Sequence, residues 1–206
     1  MRSSDLIRWS GLAAILGAAL LLISDFLSLT VLSGDPAEIV TTGAYLADGV
    51  TRVLAGILLL VGLVGLYARQ SEASGTLGLV AFLVAFAGTA LILGTWWTNA
   101  FVAPVLAQED SRLLETGPTG VMSVAFTLSF ALAAVGWLLF GLVSLRAGVY
   151  PRAAAVVLMI GAVLTFVPLP GGQVVFEVGL AWLGLALLSR NEVSETTRAR
   201  EVNPVQ

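Results

Sequence analysis

Four charged residues lie inside runs of apolar sequence: Asp25, Asp48, Arg52 and Glu177. Asp48 and Arg52 are four apart, the spacing that lets a carboxylate and a guanidinium bridge on one helix face. Ser24, Asp25 and Ser28 share a second face, and Thr95, Asn99, Thr127, Gln173 and Glu177 add polar groups at a similar depth in other runs. Charges at membrane depth cost a few kcal/mol each and as a rule face a bundle interior, paired or in water. Three carboxyls against one guanidinium leave three ways to balance the group: water reaches it, one carboxyl takes a proton, or a cation binds. The spacing equally suits an ion pair that only orients helices, a ligand pocket opening outward, and a proton or ion site.

Other chemistry is ruled out by what is missing. The chain has no cysteine, no histidine and no lysine. Thiolate nucleophiles, imidazole bases, Cys- or His-bound metals and Schiff bases are therefore unavailable. No cofactor and no metal site is expected, no catalytic residue is identified, and the chain reads as a non-enzyme.

The elements that must position these side chains are membrane spans. Over 206 residues, 58% are hydrophobic and 11% charged, where a soluble domain carries roughly 25% charge. Mean hydropathy is +0.97. Six apolar runs, at about 9–32, 48–67, 76–97, 121–145, 153–167 and 173–189, each approach the ~20 residues that cross a bilayer. The expected fold is all-α, a polytopic transmembrane bundle filling residues 1–190 as one domain, with 191–206 as a flexible tail. Arg2 and Arg8 before the apolar run imitate a secretion signal. That run continues to Leu32 with no small-residue cleavage site after it, so it reads as a retained first span.

Arginine placement orients the bundle. Arg2, Arg8, Arg69, Arg146, Arg152, Arg190, Arg198 and Arg200 fall on one side of a six-span thread, and Arg52 and Arg112 on the other. Short loops rich in arginine stay in the cytoplasm, so both termini are expected inside, in the plasma membrane. With this orientation the inner halves of all six runs lack ionisable residues, and the polar groups gather at the outer ends. The net charge of −3 comes from loop acids and points to no nucleic-acid partner. The lipid bilayer is the expected partner, and a protein partner or a second copy remains open.

Local punctuation marks the turns. Asp35-Pro36-Ala37-Glu38 reads as a helix start. Residues 68–75 read as an inner loop, Arg146 to Arg152 as a tight hairpin, and Pro168 to Gly172 as a direct turn between the last two spans. The longest outer loop, 98–120, holds Glu109, Asp110, Arg112 and Glu115. Trp96-Trp97 suits an interfacial belt, Trp137 and Trp182 suit packing, and the repeated glycines suit close helix contact. Gly62 to Arg69, Gly141 to Arg146 and Gly184 to Arg190 form a faint repeat, explained equally by three related hairpins or by composition.

The stretch from Leu66-Tyr67-Ala68-Arg69 through Gly78 to Gly88-Thr89-Ala90-Leu91, together with Asp35-Pro36-Ala37-Glu38 and Gly148-Val149-Tyr150-Pro151-Arg152, resembles multi-helix membrane proteins of bacteria and archaea classed as domains of unknown function. The resemblance implies the multi-span topology and carries no catalytic residue with it. Two functions follow as expectations: a non-catalytic structural, sensory or partner subunit held together by an outward polar cluster, or a small transporter or proton-coupled carrier using Asp25, Arg52 and Glu177.

Overall fold

The computed structural model describes residues 3–30, 32, 35–109, 119–165 and 171–202. Every regular element among them is an α-helix: α1 Ser3–Thr30, α2 Pro36–Ile39, α3 Gly43–Phe101, α4 Ala103–Glu109, α5 Gly120–Ala147, α6 Arg152–Leu164 and α7 Gly172–Val202. Four stretches, Asp5–Thr30, Gly43–Glu109, Gly120–Ala147 and Gly172–Ser189, are long and apolar enough to cross a membrane. The apolar helix α6 is shorter. Its 13 residues span about 20 Å, against a hydrocarbon thickness of roughly 30 Å.

Helix α3 is two helices folded back on each other. Gly75 breaks it with φ 54 and ψ −146, a conformation that costs a side-chain-bearing residue about 1–3 kcal/mol. The arms, 43–74 and 76–101, run antiparallel: Gly49 faces Ala100, Gly56 faces Leu93 and Trp96, and the Tyr67 and Phe82 rings stack at 4.5 Å. The loop expected over 68–75 is therefore helical apart from Gly75. No residue from 68 to 74 is a glycine or proline, so nothing stops the helix sooner.

The remaining seams are built by small residues. Gly17 meets Leu58 and Gly62 meets Ala14, so α1 lies antiparallel to the first arm of α3. Gly88 and Gly136 interlock with Ala133 and Ala85 between the second arm and α5, where an alanine Cβ at either glycine would fall 2.4 Å from the facing backbone. Gly141 seats Met159 of α6, and Gly161 and Gly179 receive Phe176 and Leu158 between α6 and α7. Finally Gly11 and Gly184 close α7 onto α1. Six rods thus form a ring in which each neighbours the next in sequence and the last returns to the first.

Several boundaries differ from the sequence reading. Helix α2 is one turn, with Glu38 and Ile39 amides bonded to the Asp35 carbonyl, and the long helix is capped instead by Thr42, which accepts from the Tyr45 amide at 3.2 Å. In the hairpin expected over 146–152 the turn is confined to 148–151, Gly148 closing α5 in the left-handed region with its amide on the Ser144 carbonyl. The backbone stays helical from 191 to Val202, where a flexible tail is expected; this segment lacks Gly and Pro. The expected positions of Arg2, Asp110, Arg112, Glu115, Pro168, Leu169, Pro170 and 203–206 lie outside the described residues.

The end of the ring bearing Gly75 and Gly148 is solid. Leu63, Leu66, Phe140, Leu158, Leu180, Leu183 and Leu187 fill it, and the Tyr150 hydroxyl reaches across to donate to the Leu66 carbonyl at 2.8 Å. The outer surface is also apolar: Phe26, Leu77, Leu83, Leu128, Ile160 and Leu185 are all exposed. That far exceeds the few hundred Å² of apolar patch usual on a water-soluble monomer.

Candidate functional site

The opposite end of the ring is hollow, and the charged residues line the hollow. On α1, one turn of helix presents Ser24, Asp25 and Ser28. On the first arm of α3, Asp48 and Arg52 lie one turn apart, and on α7 so do Gln173 and Glu177. The α1 seams with the first arm and with α7 bring these three faces together.

Arg52 is the hub. Its Nε donates to Asp48 Oδ2 at 3.1 Å, and its Nη2 donates to Ser28 Oγ at 2.9 Å and forms an ion pair with Asp25 Oδ1 at 3.0 Å. A planar fork serves two carboxylates on two helices at once, which a single ammonium could not do with the same geometry. The Ser24 hydroxyl donates to Asp48 Oδ1, so both Asp48 oxygens are occupied. The orientation that satisfies both ends of the Gln173 amide has its nitrogen donate to Asp25 Oδ2, 2.7 Å away.

Glu177 completes the group differently. It is 2% exposed, it stands beside Asp25 in the cavity wall, and its Oε2 has no partner among the described residues. All four residues singled out in the sequence, Asp25, Asp48, Arg52 and Glu177, therefore meet in one place. Ser24, Ser28 and Gln173 join them as donors or acceptors.

The hollow itself is a cavity of about 410 Å³ to which all six rods contribute. Thr89, Trp96 and Asn99 face it from the second arm of α3, Phe130 and Trp137 from α5, and Ala162 and Thr165 from α6. Trp137 forms part of its floor, donating from Nε1 to Thr89 Oγ1 at 3.0 Å and meeting Phe140 and Phe176 edge-on at 5.9 and 5.3 Å. Beneath it begins the leucine-filled end. The expected packing role of Trp137 is thus combined with a place in the cavity wall, whereas Trp182 faces outward.

Of the Trp96-Trp97 pair, only Trp97 is exposed; Trp96 packs over Gly56 and turns inward. The signal for that was present, since Thr89, Ile92, Trp96 and Asn99 recur at helical spacing on one face. Tyr45, also in the wall, had no such signal because the start of its helix was not fixed by the pattern.

Chemically, the site offers charge, hydrogen bonds and aromatic faces. Among the described residues no three acidic, histidine or cysteine side chains group as a metal-holding set. Two of the three carboxyls are tied to Arg52. No family model matches the chain, and no curated protein or solved structure matches it either.

Proposed function

We propose that this chain is a plasma-membrane protein that crosses the bilayer six times with both ends cytoplasmic, catalyses nothing itself, and presents a ligand-receiving cavity to the outside as a sensory or partner subunit. The fold-back at Gly75 supports six crossings, because it turns one 67-residue apolar stretch into two antiparallel rods. The orientation is supported by arginine placement: Arg8, Arg69, Arg146 and Arg152 belong to the end that carries Gly75 and Gly148, and Arg52 to the hollow end.

The observation that carries the reading is that one cavity collects all six rods and the four charges that lie within apolar runs, over a floor that is apolar. Pockets of roughly 300–1,000 Å³ with mostly apolar walls and a few converging polar groups are the ordinary form of small-ligand sites. The cluster also joins α1, α3 and α7, so it serves the fold while it lines the hollow.

A second reading, a proton-coupled carrier, draws on the carboxyls of Asp25 and Glu177, which line one cavity from different helices. It needs the leucine-filled end to open, and among the described residues no helix there is interrupted within its span, as carrier helices often are.

Because the chain has no cysteine, single cysteines report accessibility directly. With a membrane-impermeant maleimide on intact cells, Asn99→Cys at the mouth and Thr95→Cys in the wall should label, and Leu63→Cys in the closed end should not. Labelling of Asn99→Cys only after the cytoplasmic face is opened would overturn the orientation. Labelling of Thr95→Cys from both faces would favour the carrier.

A further inference from the structure

The cavity wall is acidic beyond what Arg52 balances. Asp25, Asp48 and Glu177 set three carboxyls against one guanidinium. Even with one of these carboxyls neutral, the group keeps one more negative charge than positive. The surplus has a place: Glu177 is 2% exposed and lines the cavity, yet its Oε2 has no partner among the described residues. Asp48, by contrast, has both oxygens occupied by Ser24 and Arg52.

Most of the rest of the wall is aromatic and aliphatic, with Thr89, Thr95, Asn99 and Thr165 as uncharged polar groups among it. Trp96, Phe126, Phe130, Trp137 and Phe176 come from three helices and surround the hollow. Aromatic faces attract cations at close range, most strongly where water is thin. A bare inorganic cation would leave most of about 410 Å³ of largely apolar space unfilled and would want several converging oxygens, and among the described residues no three acidic side chains form a set that could hold one.

We infer that the cavity takes an amphipathic organic cation: a single positive centre seated against Glu177 and Asp25, with a hydrophobic body against the tryptophan and phenylalanine walls. This rests on the reading of an outward-open cavity given above. Glu177 supplies the unpartnered acceptor, Arg52 holds Asp25 and Asp48 in place, and the aromatic walls set the size and apolar character of what fits. An anion of the same shape is refused by the same surplus charge.

The test uses full-length protein carrying Thr95→Cys in lipid nanodiscs and follows maleimide labelling of the introduced thiol. The probes are tetraphenylphosphonium and tetraphenylborate, nearly identical in shape and opposite in charge. Tetraphenylphosphonium should slow labelling at least tenfold and saturably, and tetraphenylborate should not. Adding Glu177→Gln should weaken the protection tenfold or more. Equal protection by both ions, or protection by sodium or potassium without any by tetraphenylphosphonium, overturns the inference. So does protection unchanged in Glu177→Gln, and if that variant does not fold, the cation and anion comparison on the Thr95→Cys protein decides alone. A thiol that labels freely and is protected by neither ion overturns the ligand class while the cavity reading stands; one that never labels overturns both.

Discussion

Replacing Arg52 with methionine keeps most of the length of the side chain and removes its three polar contacts, hydrogen bonds at 3.1 and 2.9 Å and an ion pair at 3.0 Å. Two of these end on carboxylates. Stripping one partner from a buried ion pair costs roughly 3–5 kcal/mol, mostly because the remaining charge is left buried and uncompensated. Here the Arg52 side chain is 20% exposed and those of Asp25 and Asp48 are 11% and 9%, so some water can reach the orphaned carboxylates and the lower end applies. Ser24 and Gln173 still donate to them. A loss of about 3 kcal/mol, roughly 150-fold in the unfolding equilibrium, is expected. Reversible unfolding in mixed micelles, followed by tryptophan fluorescence, measures it. Asp25→Asn placed on top of Arg52→Met should return about 1 kcal/mol, since an amide needs no counter-charge. A cost below about 0.5 kcal/mol for Arg52→Met would refute the reasoning, because the carboxylates would then be served by water and the pairs would behave as exposed ones do.

Three further outcomes are expected in the same unfolding assay. Gly88→Ala places a Cβ 2.4 Å from the Ala133 backbone and should cost about 2 kcal/mol, whereas Gly94→Ala, with nothing within 4 Å, should be neutral or gain up to about 1 kcal/mol from helix propensity. If the two cost the same, the seam between the second arm and α5 is not where the structure has it. Gly75→Ala meets no neighbour either, so its expected loss of about 1–3 kcal/mol is purely conformational, and wild-type stability would show that the fold-back has another geometry. Tyr150→Phe removes the hydroxyl on the Leu66 carbonyl and should cost about 1 kcal/mol, with the cysteine-labelling pattern of the cavity unchanged.

The legible parts of this protein were those written as a residue type at a depth. Hydropathy located the rods, and Gly148 and Pro151 placed a turn through the left-handed region and the ring that opens the next helix. The cluster was legible because a charge in an apolar run has few places to go: Asp25, Asp48, Arg52 and Glu177 each needed a partner, and the partners were one another. What escaped was rotation and extent. Whether Trp96 or Trp97 faces inward depends on which side of the second arm packs on Gly56, a property of a pair of helices rather than of either alone. The 68–75 segment read as a loop because Arg69, Gln70 and Glu72 are polar, yet polarity does not end a helix; only Gly75, with φ 54, does. The cavity itself could not be read, because it is the space left where α6, at 13 residues, stops short and aromatic side chains hold the rods apart.

The ring is sequential at five seams and closed only by the sixth, where Gly11 and Gly184 interlock. During synthesis this imposes an order. Asp25, Asp48 and Arg52 all belong to the first two rods, so the arginine of the cluster is neutralised by its own carboxylates as soon as a single hairpin has formed. No later helix is needed to shelter it. Glu177 arrives last, on the rod that shuts the ring, and adds a third carboxyl to a group that already holds one carboxylate more than Arg52 balances. A growing chain therefore keeps Arg52 paired from its first hairpin onward, and the cluster reaches its full acidity only when a chamber exists to contain it.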